Sequence, residues 1–415
     1  MILRCCAEQD AAEVHPKRPQ CELADIFRMH GEEYRKKHSL PLLHLKVMRS
    51  IETCRTAQLG GHTEKCDNCG HERTSYNSCR NRHCPKCQSL PKARWLQARK
   101  TELLPVSYFH TVFTLPHELN PLTLYNKKLI FSILFRSVSE TLQEFAANKG
   151  GRIGFIAILH TWDQKLLDHF HLHCLIAGGM LSLDGTRWIP LRKNYLFSVR
   201  ALSKKFRGKL IYYLKQAFTN GHLIFSGQIV HRANANEFER LIRKLWEKDW
   251  IVYSKKPFAD PCHVLDYLAR YTHRVAISNN RIISLHDGMV SFQYKDRRHD
   301  NKLKVMTLDA DEFIRRFLLH ALPESFVRIR HFGFLANRSK KQYLSRCRQF
   351  LNLSSESMPH TEMKTRELLL ELTGIDLNRC PLCKKGTMHI IAQLPPAFAT
   401  ECKALYPQPY IWDSS

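Results

Sequence analysis

Two histidines and two tyrosines have the types and spacing needed for chemistry on a phosphodiester. The segment DHFHLHCLIAGG contains His171 and His173, whose side chains share one face if the segment is a strand. Imidazoles two residues apart lie about 7 Å apart along a strand, so both can reach one ion. The segment YLARYTHR contains Tyr267 and Tyr271, which lie on one face if the segment is a helix.

A phenol can attack a phosphodiester when a cation polarises the phosphate and neutralises the charge that develops there. The product is a covalent phosphotyrosine, and two nucleophiles on one face allow two sequential transesterifications without ATP. Taken separately, a histidine pair is common on exposed strands, and a tyrosine pair on a helix is more often used for packing. The prediction therefore depends on the two pairs occurring together.

Cysteine pairs indicate a separate metal site. Cys66-x2-Cys69 and Cys84-x2-Cys87 are separated by fourteen residues, and two such knuckles can complete a tetrahedral zinc site. The surrounding residues, 51–90, contain few large apolar side chains, so this segment needs a metal to fold. The sequence predicts structural zinc, bound by these four cysteines.

Other pairings of ligands stay open at this point. The same segment contains four further potential ligands, which allow a second zinc ion or a different pairing: Cys54, His62, Cys79 and His83. Near the C-terminus, Cys380-x2-Cys383 has the form of another knuckle, with Cys402 and His389 as nearby candidate partners. A pair that binds no metal is the alternative for this last knuckle.

The charge of the chain favours a polyanionic partner. Sixty-four Lys and Arg against 38 Asp and Glu give a formal charge of +26 over 415 residues, which attracts nucleic acid. Arg80 and Arg82 beside the cysteines are expected to contact DNA phosphates. No apolar run approaches a membrane span and no signal peptide is recognisable, so we expect a cytoplasmic protein.

The hydrophobic pattern predicts the elements that position these residues. Helices are expected at 22–50 with a break at Leu40–Pro41, and at 122–147, 233–248, 262–275 and 309–320. Strands are expected at 106–118, 152–160, the histidine segment, 222–231 and 250–254, and RIISL and MVSFQY should form a hairpin.

Taken with other motifs, these residues resemble a known family. The motifs, in chain order, are CRTAQLGGH, YNSCRNRHCPKCQ, LHTW, HFHLHCLIAGG, VRALSKKFRGK, YLARYTHRVAISNNRI, EFIRRFLLHALP and RIRHFGFLANR. The chain resembles the IS91-type transposases over roughly residues 20–390. These are two-tyrosine rolling-circle enzymes of the HUH superfamily.

The resemblance implies roles for individual residues. The metal-binding histidines would be His171 and His173, with His169 supporting them, and the nucleophiles would be Tyr267 and Tyr271. The metal would be Mg²⁺ or Mn²⁺. Two residues are candidates for the third ligand, His160 and His263. DNA phosphates would be held by cations near these residues: Arg270, Arg274 and Lys255.

The resemblance also implies a fold and a function. The fold class is α+β: an HUH-type antiparallel sheet flanked by helices, with an N-terminal zinc-binding domain and a mainly helical C-terminal region. The expected divisions are a disordered lead (1–20), a helical and zinc-binding DNA-recognition domain (21–98), a catalytic domain (101–300), a basic segment (301–350), and a linker and tail with the last knuckle (351–415).

The expected activity is the cutting and rejoining of single DNA strands through a 5′-phosphotyrosine. The partners would be single-stranded DNA at element ends and target DNA, in an oligomeric state that the sequence leaves open. Two alternatives are a replication initiator or relaxase of the same superfamily and a non-catalytic zinc-finger DNA-binding protein.

Overall fold

A computed structural model describes residues 19–192, 195–258, 264, 274–296, 299–353 and 363–397. The helices are α1 (Leu23–Lys37), α2 (Leu42–Glu52), α3 (Ser89–Lys100), α4 (Asn120–Tyr125), α5 (Lys127–Ala147), α6 (Val199–Thr219), α7 (Ala235–Glu247), α8 (Ala310–Leu319), α9 (Lys340–Phe350) and α10 (Thr365–Thr373). The strands are β1 (Gly61–Cys66), β2 (Glu72–Tyr76), β3 (Tyr108–Thr114), β4 (Gly151–Trp162), β5 (Asp168–Ser182), β6 (Trp188–Pro190), β7 (Val252–Phe258), β8 (Ile282–His286), β9 (Met289–Asp296), β10 (Lys302–Asp309), β11 (Ile329–Gly333) and β12 (Met388–Leu394).

The largest sheet is antiparallel and has the strand order β11-β4-β5-β3-β7, with β6 paired to β5. Its central strands β4 and β5 are buried almost throughout, because protein covers both faces of the sheet. This explains why the histidine segment reads as nearly continuous apolar sequence around its histidines. The predicted strand that carries the histidines is confirmed.

Helices α5 and α6 pack on one face of the central sheet. Odd positions of β4 and even positions of β5, such as Phe155 and Leu172, meet Phe131 of α5 and Phe206 of α6 in the main core. Side chains of successive strand residues alternate between faces. The histidines of β4 and β5 therefore lie on the opposite face of the sheet from these helices.

A second, smaller core joins the N-terminal helices to the sheet β10-β9-β8. Phe27 of α1, Met48 of α2, Phe292 of β9 and Phe313 of α8 are all buried in it. The hairpin predicted at RIISL and MVSFQY is present as β8 and β9. The helix predicted at 309–320 is present as α8.

The third sheet has the order β12-β1-β2 and links the two ends of the described chain. β12 pairs with β1 from Cys66 opposite Met388 to Gly61 opposite Leu394. The C-terminal region thus contributes one strand to each sheet: β12 pairs with β1, β10 with β9, and β11 with β4. The same region also contains helices α8, α9 and α10. The α+β class with an antiparallel sheet flanked by helices is confirmed.

The strand predicted at 222–231 is wrong. This segment is irregular and then forms a 3-10 helix at Gly227–Ala233. The backbone of Ile224 bonds to the side chain of Asn126 through both its N–H and its carbonyl oxygen, at 2.8 Å each. These groups are therefore used by a side chain and not by a neighbouring strand.

Two other expectations fall largely outside the described residues. The lead at 1–20 is described only from residue 19, and of the helix predicted at 262–275 only residues 264, 274 and 275 are described. No helix in the described part of the chain is long and apolar enough to cross a membrane.

Candidate active site and metal sites

Three histidines converge on the face of the central sheet opposite α5 and α6. His160, His171 and His173 are buried, and each offers a ring nitrogen within 4.8 Å of the others. The Nε2 atoms of His171 and His173 are 3.1 Å apart. The ring centroids of His160 and His173 are 4.5 Å apart.

The strand register explains this convergence. His160 of β4 lies directly opposite His171 of β5, and His173 lies opposite Ile158 on the same face. Directly opposed residues in an antiparallel pair have their Cβ atoms about 5 Å apart. Of the two candidates for a third ligand, His160 therefore lies beside the pair, whereas His263 is outside the described residues.

The donor set fits a divalent cation. Adjacent ligands of an octahedral ion at about 2.1 Å are about 3.0 Å apart, close to the separation between the two Nε2 atoms. His171 donates a hydrogen bond from Nδ1 to the carbonyl oxygen of His169, at 2.8 Å. Because a carbonyl can only accept, this bond places the proton of a neutral His171 on Nδ1 and leaves Nε2 as a lone pair for a metal.

A fourth histidine, His110 of β3, was not singled out from the sequence. Its Nε2 lies 2.9 Å from Nδ1 of His173, and the two rings are stacked. Burial, with a smaller contribution from the charge of Lys255, lowers the pKa of His110 to about 3, so the ring stays neutral. When His173 binds an ion through Nε2, its Nδ1–H can donate to His110, an arrangement that fixes the orientation of a metal ligand.

His110 could have been recognised from the strand pattern alone. It lies in VSYFHTVFT, where alternation places it on the same face as Tyr108 and Val112. An imidazole on an otherwise apolar face was the signal. The sequence did not show that β3 lies next to β5 and brings this face beside His173.

The two candidate nucleophiles, Tyr267 and Tyr271, lie outside the described residues, as does Arg270, but residues near them are described. Val264 is fully buried on the histidine face of the sheet, in a cluster with Ile156, Ile158 and Leu175. Tyr267 follows Val264 by three residues in the sequence.

The other end of this segment is also held near the histidines. The carbonyl oxygen of Arg274 accepts a hydrogen bond from Arg328, at 3.1 Å. The carbonyl oxygen of Arg328 in turn accepts from the backbone N–H of Leu159, at 2.9 Å. Arg274 is therefore connected through one residue to the strand position next to His160.

Lys255 contributes positive charge to the same face. It lies on β7 opposite His110 in the register of β3 and β7, and it is exposed. Directly opposed residues point to the same face of a sheet. Its ammonium group can therefore meet an anion that approaches the histidines from solvent.

The cysteines form two groups, and the pairing of Cys66 and Cys69 with Cys84 and Cys87 is wrong. One group consists of Cys54, Cys79, Cys84 and Cys87; the other consists of Cys66, Cys69, Cys380 and Cys383. In each group the four sulfur atoms lie within 4.8 Å of one another. The error arose because spacing along the chain cannot show which knuckles meet in space.

The first group fits a tetrahedral metal. Its sulfur contacts are 3.5 Å between Cys54 and Cys87, 3.6 Å between Cys79 and Cys87, and 3.7 Å between Cys84 and Cys54. A zinc ion with Zn–S bonds of about 2.3 Å has sulfur atoms about 3.8 Å apart. Cys54 and Cys84 are also buried against the core of α1 and α2, so this site connects the cysteine segment to the N-terminal helices.

The histidines proposed as additional zinc ligands lie elsewhere. His62 approaches Glu64, with 3.8 Å between its Nε2 and a carboxylate oxygen. His83 accepts a hydrogen bond at Nε2 from the backbone N–H of Leu322, at 3.3 Å. Burial lowers the pKa of His83 to about 3, so it is a neutral residue of the interior.

Arg80 and Arg82 line a basic groove between the cysteine segment and the central sheet. Its volume is about 560 Å³, and its walls include Arg99, His331 and Lys340. One nitrogen of Arg82 donates to the carbonyl oxygen of Phe326, at 2.6 Å. The groove therefore combines several cations with aromatic side chains such as Trp95.

Comparison with known proteins agrees with these features. A family model described as "Transposase zinc-binding domain" matches residues 26–115, and one described as "Putative transposase" matches residues 154–342. The first contains the four cysteines of the first group, and the second contains His160, His171 and His173. The chain is therefore a transposase that carries a zinc-binding domain.

Two relatives match most of the chain. The "Putative transposase y4qJ" of Sinorhizobium fredii is 50% identical over 376 residues, which are 89% of this chain and 94% of that protein. The transposase for insertion sequence element IS801 of Pseudomonas savastanoi pv. phaseolicola is 28% identical over 84% of each chain. The chain belongs to the IS91-type transposase family.

A solved structure gives a weaker match. It is the conjugative relaxase TrwC in complex with mutant OriT DNA, 13% identical, with a TM-score of 0.22 over 59% of this chain and 74% of the relaxase.

Proposed function

We propose that this transposase cuts and rejoins single DNA strands with Tyr267 and Tyr271 as nucleophiles, in rolling-circle transposition. The observation that carries the proposal is the packing of Val264 on the face where His160, His171 and His173 converge. Tyr267 follows Val264 by only three residues in the sequence. Together, these observations support a site that combines a phenol and a bound cation.

The metal of this site would be held by His160, His171 and His173, with His110 orienting His173. Imidazole ligands favour Mn²⁺, whereas cellular abundance favours Mg²⁺. When bound, the ion supplies polarisation of the scissile phosphate and compensation of its developing charge.

The tyrosines carry out the covalent steps. The phenolic oxygen of one tyrosine attacks phosphorus and its proton is transferred to solvent. The bond from phosphorus to the 3′-oxygen breaks, and the leaving 3′-oxygen takes a proton from solvent to become a hydroxyl. The 5′-phosphate stays on the tyrosine. A 3′-hydroxyl then attacks this phosphotyrosine and restores the phenol, so each step exchanges one phosphoester for another and needs no ATP.

Cations next to this site would hold the DNA backbone. Lys255 stands on the histidine face of β7, and Arg274 and Arg270 flank the tyrosines in sequence. Arg80 and Arg82 would contact DNA in the groove beside the zinc-binding domain. Single-stranded DNA at element ends and target DNA are the proposed substrates.

A cleavage assay with an element-end oligonucleotide, with and without Mn²⁺, tests the proposal. We expect metal-dependent nicking and a protein–DNA adduct that survives SDS. Tyr267→Phe and Tyr271→Phe together should abolish the adduct, while each single change should leave one transfer step. Tyr212→Phe, an exposed tyrosine on α6, which packs on the opposite face of the sheet, is the matched control. An adduct formed by the double variant would refute the assignment, and DNA binding without nicking would favour a non-catalytic zinc-finger protein.

A further inference from the structure

The second group of four cysteines joins two parts of the chain that are more than 300 residues apart. Cys66 is the last residue of β1 and Cys69 lies in the turn that follows it, while Cys380 and Cys383 lie in a turn before β12. The sulfur atoms of Cys66 and Cys383 are 3.7 Å apart, as are those of Cys69 and Cys380. These separations match the edge of a tetrahedral zinc–thiolate site, about 3.8 Å.

Each turn is shaped to present thiolates. The backbone N–H groups of Asn68 and Cys69 point to the sulfur of Cys66, at 3.4 and 3.5 Å. The N–H of Gly386 points to the sulfur of Cys383, at 3.3 Å. Such N–H groups stabilise the deprotonated sulfur, which is the form that binds a metal.

Gly386 is needed for the two turns to meet. A Cβ atom at this position would lie 2.5 Å from the sulfur of Cys66, which is closer than any van der Waals contact allows. The absence of a side chain therefore lets the C-terminal knuckle approach the N-terminal one.

The local apolar core is too small to hold the C-terminal segment alone. Among the described residues, the buried cluster at this junction consists of Cys66, Cys380 and Met388, with Cys383 partly buried against it. The first cysteine group is buried against α1 and α2, whereas no helix of the described residues contributes a side chain to this second buried cluster.

We propose that Cys66, Cys69, Cys380 and Cys383 bind a second structural zinc ion, which clamps residues 363–397 onto the N-terminal sheet. The zinc-binding family match ends at residue 115, so it contains only half of this site. A cross-link that closes so long a loop removes much conformational freedom from the unfolded chain. The clamp holds β12 against β1 and helps to place α10 beside α3.

Other contacts across the same junction depend on this placement. The buried carboxylate of Glu64 pairs with Arg73, at 2.5 Å, and with Arg366 of α10, at 3.8 Å. Asp67 accepts a hydrogen bond from the backbone N–H of Thr387, at 2.8 Å. These contacts orient the segment, and the metal fixes its position.

The first test is the zinc content of the full-length protein, measured by mass spectrometry of the metal. We expect two zinc ions per chain, and one in the variant Cys380→Ser with Cys383→Ser. The control Cys402→Ser changes a cysteine outside the described residues, and His389→Ala changes a residue that contacts Asp67 and no cysteine sulfur; both should keep two ions. Two ions in the double variant, or iron in place of zinc, would overturn the proposal.

The second test asks whether the metal holds the C-terminal segment to the rest of the protein. A specific protease site is inserted between residues 354 and 362, and the cut protein is analysed by size exclusion. We expect the C-terminal fragment to stay bound in the presence of zinc and to dissociate in the Cys380→Ser, Cys383→Ser variant. Retention of the fragment in that variant would show that the metal does not hold the segment.

A conservative change separates metal loss from misfolding. Cys383→His keeps a set of zinc ligands, since Cys3His sites are common, and it should retain more zinc and more fragment than Cys383→Ser. Equal zinc loss in both would contradict a metal site at Cys383. Because none of these measurements uses DNA cleavage, their failure is distinguishable from failure of the proposed transposition chemistry.

Discussion

The histidine site and the cysteine sites are built in opposite ways. Each cysteine group offers four ligands from turns and from the ends of short elements, a closed set that suits a structural ion. The histidine site offers three described ligands from the rigid centre of a sheet, which leaves coordination positions for a substrate oxygen. Under the proposed assignments, one chain separates ions that stabilise the fold from an ion that takes part in chemistry.

The largest expected effect tests whether the two kinds of site are independent. His171→Ala should reduce metal-dependent cleavage by at least about 10³-fold, because the ion contributes several kcal/mol to transition-state stabilisation. The zinc content should stay unchanged. His286→Ala, an exposed histidine in the β8–β9 hairpin, is the control. Zinc loss in His171→Ala would show that the sites are coupled.

The next effect concerns which residue completes the histidine set. His160→Ala should weaken Mn²⁺ binding by at least about 100-fold, because the loss of a metal ligand lowers the affinity more than the loss of a residue that only supports a ligand. His263→Ala should leave Mn²⁺ affinity close to that of the wild type. Titration followed by electron paramagnetic resonance measures both. The reverse order would assign the third ligand to His263.

A smaller effect is expected from the residue that orients His173. His110→Phe should weaken Mn²⁺ binding by about 10- to 100-fold, because it removes the hydrogen-bond acceptor of a ligand. His110→Gln keeps an acceptor and should be milder. If His110 only positions the ligand, saturating Mn²⁺ restores most of the cleavage rate. A loss that persists at saturation in both variants would instead indicate a direct role in the reaction.

The sequence patterns predicted most features that depend on residues close together in the chain, namely individual strands and helices and the faces that their side chains occupy. The alternation of β5 placed His171 and His173 on one face, and the helices around 22–50 and 309–320 follow the apolar period. The pairing of distant segments was harder to predict. Neither the meeting of Cys66 with Cys383 nor the contact of His110 with His173 leaves a signal in the spacing, because sheet order and knuckle pairing are tertiary properties.

The smallest expected effect comes from a histidine that is buried in the core and is not one of the proposed metal ligands. His320 is fully buried and donates from Nε2 to the carbonyl oxygen of Leu166, at 3.0 Å. Burial lowers the pKa of His320 from 6.5 to about 4. Between these pH values the unfolded chain binds the proton that the folded chain excludes, so the free energy of unfolding falls as the pH drops from 6.5 to 4.

At pH 5, this difference in pKa between the folded and unfolded chain lowers the free energy of unfolding by about 2 kcal/mol from His320 alone. His320→Gln keeps the donor to Leu166 and does not titrate, so denaturant unfolding at pH 7.5 and pH 5 should show a correspondingly smaller acid loss in this variant. The exposed control His286→Gln should lose as much stability as the wild type. If His320→Gln loses as much stability between pH 7.5 and pH 5 as the wild type, another group takes up the proton on unfolding. The burial of His320 would then not set it apart from the proposed metal-binding histidines.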